Sequence, residues 1–444
     1  MQTKRKYECF IVLSFCFALI SCGSSSLGVK EQQLPLSDEW PGGTVTEWES
    51  KEGLEEHWFR DPHARETRGY ESDYGSYEEV MDGPGMANHA GMGAGQDGLE
   101  GGEIDDNENF SDFLEYSEAA LEAFGGDLMV RWLEVQQRHI IKVVDENHKS
   151  VSDAYVEFYR NDELITTARS HSDGRVAFYP LAYGVQADVF TAKGSHGDHR
   201  GEIEFAATVQ SADLMLNGQQ PPPTSCSVDV AFLIDTTGSM GEEIDRIKET
   251  VSSIATRISL DDARPHLRLA LVDYRDIGDE YVTHSVNFTH EVEAFQRAIN
   301  RLQAGGGGDM PESMNKALFE AMRRLDWRKE RATRLVFIIA DAPAHYYENE
   351  AYTYDQAMLD AMVMGVTFYP IASGGSDPMA EFQFRQLAQF TLGNFTFITE
   401  GNGSPEGSGG SDYHVSPEDF IVQNLDDLIV RLAQHEISNA CSYH

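Results

Sequence analysis

The residues best equipped for chemistry form a short run, Asp235-Thr-Thr-Gly-Ser239, which supplies one carboxylate and two hydroxyls at alternating positions. Asp235, Thr237 and Ser239 turned inward together offer hard oxygen ligands. Such a set suits Mg²⁺, Mn²⁺ or Ca²⁺ and not zinc. It is too small to fill an octahedron, so water or an incoming carboxylate must take the remaining places. An aspartyl nucleophile for phosphoryl transfer is a poorer reading, because that chemistry wants a second carboxylate two residues on and Thr237 stands there. No Ser-His-Asp or Cys-His set has positional support.

The elements that must hold this run are legible. Val228 to Ile234 is a near-continuous apolar stretch ending in Asp235, as a buried parallel strand requires. Leu335 to Ala340 repeats the pattern and ends in Asp341. Further strands are expected at 267–273, 281–288, 365–372 and 394–399. Helices are expected at 241–258, 292–302, 312–325 and 417–435. Strands alternating with helices predict an α/β fold with a doubly wound, Rossmann-like sheet. Ligands of such sheets sit at the carboxyl ends of the strands, where Asp235 and Asp341 both fall.

Residues 226–441 resemble the von Willebrand factor type A (vWA) family. The resemblance rests on the apolar strand and Asp-Thr-Thr-Gly-Ser-Met, then Leu-Val-Asp-Tyr-Arg-Asp at 271–276, Gly-Gly-Gly-Asp-Met-Pro-Glu at 306–312 and Ala-Asp-Ala-Pro-Ala-His at 340–345, in that order. It implies a metal-ion-dependent adhesion site on Asp235, Thr237, Ser239 and Asp341. The family usually adds a threonine from the loop at 305–312, and this chain has none there. Asp309 either takes that place as a third carboxylate or points elsewhere. Arg275, Asp276 and His345 are candidates for a ligand rim. The resemblance also implies a disulfide between Cys226 and Cys441, which would constrain the unfolded chain by roughly 5 kcal/mol.

Ahead of this domain, residues 108–218 read as a short helix followed by short strands about ten residues apart. Asp173-Gly174 is a strong turn signal. The stretch resembles Ig-like, carboxypeptidase-regulatory-type β-sandwich modules. His196-Gly-Asp-His199 reads as a hairpin tip, since a third metal ligand is not evident. Residues 219–225 form a Pro-rich linker.

The first 107 residues differ in character. Lys4-Arg-Lys6 and the apolar stretch Phe10–Ile20 make a secretory signal peptide over 1–21. Leu19-Ile-Ser-Cys22 resembles a bacterial lipobox, which implies acylation of Cys22 and an outer-membrane lipid anchor, periplasmic or surface-exposed. A plain signal peptide cut beside Ser21 or Ser24 is the alternative. Residues 22–107 are acidic and Gly-rich without sustained periodicity, which predicts a disordered tether.

The chain has 444 residues, with 34 Lys+Arg against 74 Asp+Glu and a net charge of -40. That sign excludes nucleic-acid binding as a main job and disfavours electrostatic docking on anionic lipid, leaving the lipid anchor as the route to a membrane. The expected function is therefore a non-enzymatic, lipid-anchored envelope protein. It would grip a protein partner that presents an acidic residue within a basic surface, through a divalent cation. A scaffold of an envelope complex without metal-dependent binding is the alternative, and a metal-assisted hydrolase a more distant one.

Overall fold

The computed structural model describes residues 45–47, 100–219, 226–242, 244–260, 265–308, 311–348, 350–373, 376–399 and 423–441. All belong to one compact unit, Gly42–His444. The expected leader over 1–21, Cys22, most of the tether, the linker from 220 on and Asp309 lie outside the described residues.

The chain enters through two strands, β1 (Val45–Glu47) and β2 (Glu100–Ile104), then helix α1 (Phe110–Phe124). Seven strands follow: β3 (His139–Val144), β4 (Tyr155–Arg160), β5 (Glu163–Arg169), β6 (Arg175–Phe178), β7 (Val189–His196), β8 (His199–Ala206) and β9 (Ser211–Met215). They form two sheets, in the orders β6-β3-β9 and β5-β4-β7-β8. Alternate residues of β4 and β7 point inward, so Phe158, Phe190 and Ala192 are buried. Phe158 of one sheet stacks on Phe178 of the other with centroids 4.2 Å apart. Phe190 meets Phe178 edge-on at 5.3 Å. His196-Gly-Asp-His199 is the hairpin tip joining β7 to β8.

The second half is a larger α/β layer. Its elements are β10 (Ser227–Asp235), α2 (Ile244–Ser259), β11 (His266–Tyr274), β12 (Thr283–Thr289), α3 (Val292–Ile299), α4 (Met314–Arg323), β13 (Thr333–Ala340), α5 (Tyr354–Met364), β14 (Val366–Ala372), α6 (Pro378–Phe390), β15 (Phe395–Thr399), β16 (Gln423–Asn424) and α7 (Leu425–Cys441). The sheet order is β1-β12-β11-β10-β13-β14-β15-β2-β16. The five strands from β11 to β15 run parallel, and the edge strands run antiparallel. Every residue of β13 and β14 is buried, which explains why both are apolar apart from Thr333, Arg334 and Thr367.

Two features depart from the sequence reading. Val45–Glu47 and Glu100–Ile104 fall inside the expected disordered tether, yet the first pairs with β12 and the second with β15 along its whole length. The following Asp106 meets Arg385 on α6 in a buried two-pronged ion pair, at 2.9 and 2.5 Å. Helices α5 and α6 were not foreseen. Every residue of α6 from Met379 to Phe390 is buried, so it lacks the one-sided stripe that marks a surface helix.

Cys226 and Cys441 are joined in a disulfide with Cα atoms 5.3 Å apart. It ties the start of β10 to the end of α7, closing the α/β layer.

Candidate functional site

Asp235, at the end of β10, is fully buried. Its Oδ1 accepts from the Thr237 amide at 2.8 Å and the Thr237 hydroxyl at 2.7 Å. The Thr237 and Ser239 hydroxyls lie 3.2 Å apart. Asp341 follows β13 directly, and its carboxylate is hydrogen-bonded by Ser239. The parallel pairing of β10 and β13, with Ile234 opposite Ile339, brings Asp235 and, one residue further on, Asp341 out at neighbouring strand ends. Four of the five expected metal-binding residues are thus brought together. The fifth, Asp309, lies outside the described residues.

The Gly-rich loop covers this pair. The Gly305 amide donates to the Thr236 carbonyl at 3.0 Å, and the Gly238 amide to the Gly306 carbonyl at 3.2 Å. Gly307 has φ +68, and a Cβ there would sit 3.2 Å from Glu312 Oε1 and 3.4 Å from the Thr237 Cβ. Glycine therefore permits both the backbone and the close approach. Glu312, only 2% exposed, is carried under the same loop. Its amide bonds to the Pro343 carbonyl, and its own carbonyl accepts from the His345 amide, so it is stitched to the segment after Asp341. The sequence reading quoted Glu312 within its motif but gave it no role. Its separation from the Asp235 loop in sequence hid it.

The three proposed rim residues divide. Arg275 is buried and turned inward: it donates to the Thr236 carbonyl at 3.2 Å and the Gln303 carbonyl at 2.8 Å, clamping the two site loops together. Its guanidinium also lies 4.5 Å from the centre of the Tyr281 ring. Asp276 accepts from the Ser313 hydroxyl at 2.8 Å and from the Tyr347 hydroxyl. His345 is partly exposed, with Nδ1 3.7 Å from Asp276 Oδ2.

The site is strongly negative. Asp235 is pushed up to about 7, first by burial and next by Asp341. Glu312 is pushed up to about 9, first by burial and then by Asp235, Asp276, Asp279 and Asp341. Burial also raises Asp341. Asp235 Oδ2, Asp341 Oδ1 and Glu312 Oε2 are buried without a hydrogen-bond partner. Orphaned carboxylate oxygens crowded together are costly unless a cation meets them. Among the described residues, no three His, Cys, Asp or Glu side chains converge closely enough to hold a metal by themselves. The cradle draws on two hydroxyls as well, and its all-oxygen donor set fits a hard divalent cation.

A doubly wound α/β layer with an oxygen-rich carboxylate cluster at its strand ends defines the class of protein. The comparisons then give the family of this layer: residues 229–368 match the von Willebrand factor A domain, so the chain contains a vWA domain there. The chain is 27% identical over 155 residues to an alpha-protein kinase of Dictyostelium discoideum, covering 32% of this chain and 24% of that protein. It is 32% identical over 122 residues to an ariadne-like RING finger protein of Acanthamoeba polyphaga mimivirus, covering 28% of this chain and 12% of that protein. The chain thus spans a quarter or less of the length of either relative.

Proposed function

We propose that the chain is a binding protein whose vWA domain engages a protein partner through a divalent cation, with Mg²⁺ the first candidate and Mn²⁺ or Ca²⁺ the others. Asp235, Thr237, Ser239 and Asp341 would hold the ion, with Glu312 beside them under a Gly-rich loop that has no threonine to offer. The bound ion would offer an open coordination place to an acidic residue of the partner. The acids bordering the site, Asp276, Asp279 and Glu280, repel acidic surfaces at large. A partner therefore needs its carboxylate set among basic residues. The observation that carries this reading is that Asp235, Asp341 and Glu312 each keep a buried carboxylate oxygen without a partner, with the Thr237 and Ser239 hydroxyls 3.2 Å apart beside the two aspartates.

The test is calorimetric titration of the full chain with Mg²⁺, Mn²⁺ and Ca²⁺, beside Asp341→Ala. Saturable binding lost in the variant supports the site. No binding of any ion sinks it and moves the scaffold reading ahead. Anchoring through an acylated Cys22 to the outer membrane belongs to the same proposal. Intact mass measurement of the protein extracted from membranes would show the added acyl mass, or refute it by an unmodified mature chain.

A further inference from the structure

The two-sheet β region and the α/β layer meet along a polar seam. Asp153, which begins the turn into β4, accepts from Arg334 of β13 at 2.9 Å and Arg169 of β5 at 3.3 Å, and from the Arg331 amide. His171, in the turn before β6, places Nδ1 2.8 Å from the Thr367 hydroxyl of β14. Tyr179 stacks on Phe390 with centroids 4.6 Å apart. Glu436 of α7 accepts from the Tyr369 hydroxyl at 2.9 Å.

Asp153, His171, Ser172, Arg334, Thr367 and Glu436 line one small cavity in this seam. Four polar atoms of this lining, His171 Nε2, Ser172 Oγ, Arg334 Nη2 and Glu436 Oε2, are buried without a partner. They come from a turn of the β region, a central strand and the last helix. Unpartnered polar atoms gathered round one polar cavity are the setting in which proteins hold buried water. A water held there would accept from Arg334, donate to Glu436 and donate to His171, whose Nε2 is the acceptor when Nδ1–H faces Thr367.

A proton added to His171 has poor company. The charged groups facing it are Asp173 and Arg175 of its own turn, Asp153 of the β region, Arg334 across the seam, and Glu436 on α7. Asp173 is taken by Arg175, and Asp153 by two arginines and a backbone amide. Glu436 is itself pushed up, chiefly by burial, and so resists ionising. We propose that this hydrated cavity is an acid-released joint: protonation of His171 parts the β region from the α/β layer before either unfolds.

The test is hydrogen exchange of the full chain at pH 7 and pH 5, with rates corrected for their intrinsic pH dependence. His171 is held down to about 4 while the seam is closed, mainly by burial, against 6.5 when free. For His171 alone the open population then rises roughly twentyfold between the two pH values, and Glu436, whose raised carboxyl favours the closed seam in acid, subtracts from that gain. Segments 150–178 and 365–373 should gain that exchange at pH 5, while α2 should not. In His171→Asn, whose amide can still meet Thr367, the gain should vanish. A gain spread evenly over the chain, no gain, or the same gain in the variant would overturn the proposal. Should His171→Asn fail to fold, Glu436→Gln decides. It leaves the imidazole in place and removes a carboxyl whose raised pKa favours the closed seam in acid, so the gain should be retained or enlarged, and its loss there would overturn the role of His171.

Discussion

Asp235→Asn should stabilise the metal-free protein while abolishing its response to metal. An ordinary aspartate titrates near 3.8, and Asp235 is pushed up to about 7. The unfolded chain gives up this proton freely above 3.8, whereas the folded chain holds it. Stability is therefore lost as pH rises from about 3.8 to 7 and is level beyond. At ~1.36 kcal/mol per pH unit, the penalty at neutrality reaches about 4 kcal/mol. Asp235, Glu312 and Asp341 share one field, so removing a single charge recovers only part of it, about 2 kcal/mol. The asparagine oxygen can still accept from the Thr237 amide and hydroxyl, which both use Oδ1. In a domain of this size, each kcal/mol moves Tm by about 2–4 °C. Thermal unfolding in EDTA at pH 7 should thus place the variant about 4–8 °C above the wild type, with the gap closing toward pH 4. With Mg²⁺ at a hundredfold its dissociation constant, the wild type should gain about 2.7 kcal/mol and the variant nothing. A variant that melts below the wild type in EDTA, or that keeps the metal-induced shift, would refute the reasoning.

Gly307→Ala should weaken Mg²⁺ binding in calorimetry, since its Cβ meets Glu312 at 3.2 Å on a backbone with φ +68. Gly308→Ala, with nothing within 4 Å, should leave binding unchanged. Asp106→Ala strands Arg385 against Glu381 in the interior and should cost about 3 kcal/mol in chemical denaturation, whereas a pair that mattered little would show no change. Cys441→Ser should lower stability by up to roughly 5 kcal/mol under oxidising conditions, and reductant should bring the wild type down to the same level.

The core of the α/β layer was readable because its strands obey one rule: Val228–Ile234, apart from Asp229, and Leu335–Ala340 are apolar because both sheet faces are covered. Amphipathic helices such as α2 were readable for the matching reason, since one face of α2 is buried at Ile247, Val251, Ile254 and Ile258. Helix α6 breaks that rule. It is buried all round by the sheet on one side and α1 on the other, so Gln383, Arg385, Gln386 and Gln389 look solvent-facing in sequence but make buried hydrogen bonds. Strand β2, Glu-Gly-Gly-Glu-Ile, has no strand propensity to detect. Its glycines serve packing instead, for a Cβ on Gly101 would lie 3.0 Å from Leu425 at the start of α7. Its place between β15 and β16 and its tertiary fit decide such a segment, and neither leaves a local signal.

The site shows the same division. Asp235, Thr237 and Ser239 were legible because a strand-to-helix turn fixes them locally, and Asp341 because it ends the neighbouring strand. Glu312 is different in kind. It reaches the cluster through backbone bonds to Pro343 and His345, partners some thirty residues away in sequence. Its effect on the chemistry is large: with Glu312 ionised, a divalent cation would face three carboxylates and become a weaker Lewis acid toward a fourth. With Glu312 protonated, as its upward displacement to about 9 favours before metal arrives, two carboxylates balance the ion and leave it receptive to a partner's acid. Glu312→Gln therefore separates two functions that Asp235→Asn merges. It should weaken metal binding only modestly, and should hold or raise affinity for an acidic ligand once the ion is bound. Loss of the ion altogether in Glu312→Gln would make this carboxylate an obligatory ligand, with partner binding resting on a site already saturated with negative charge.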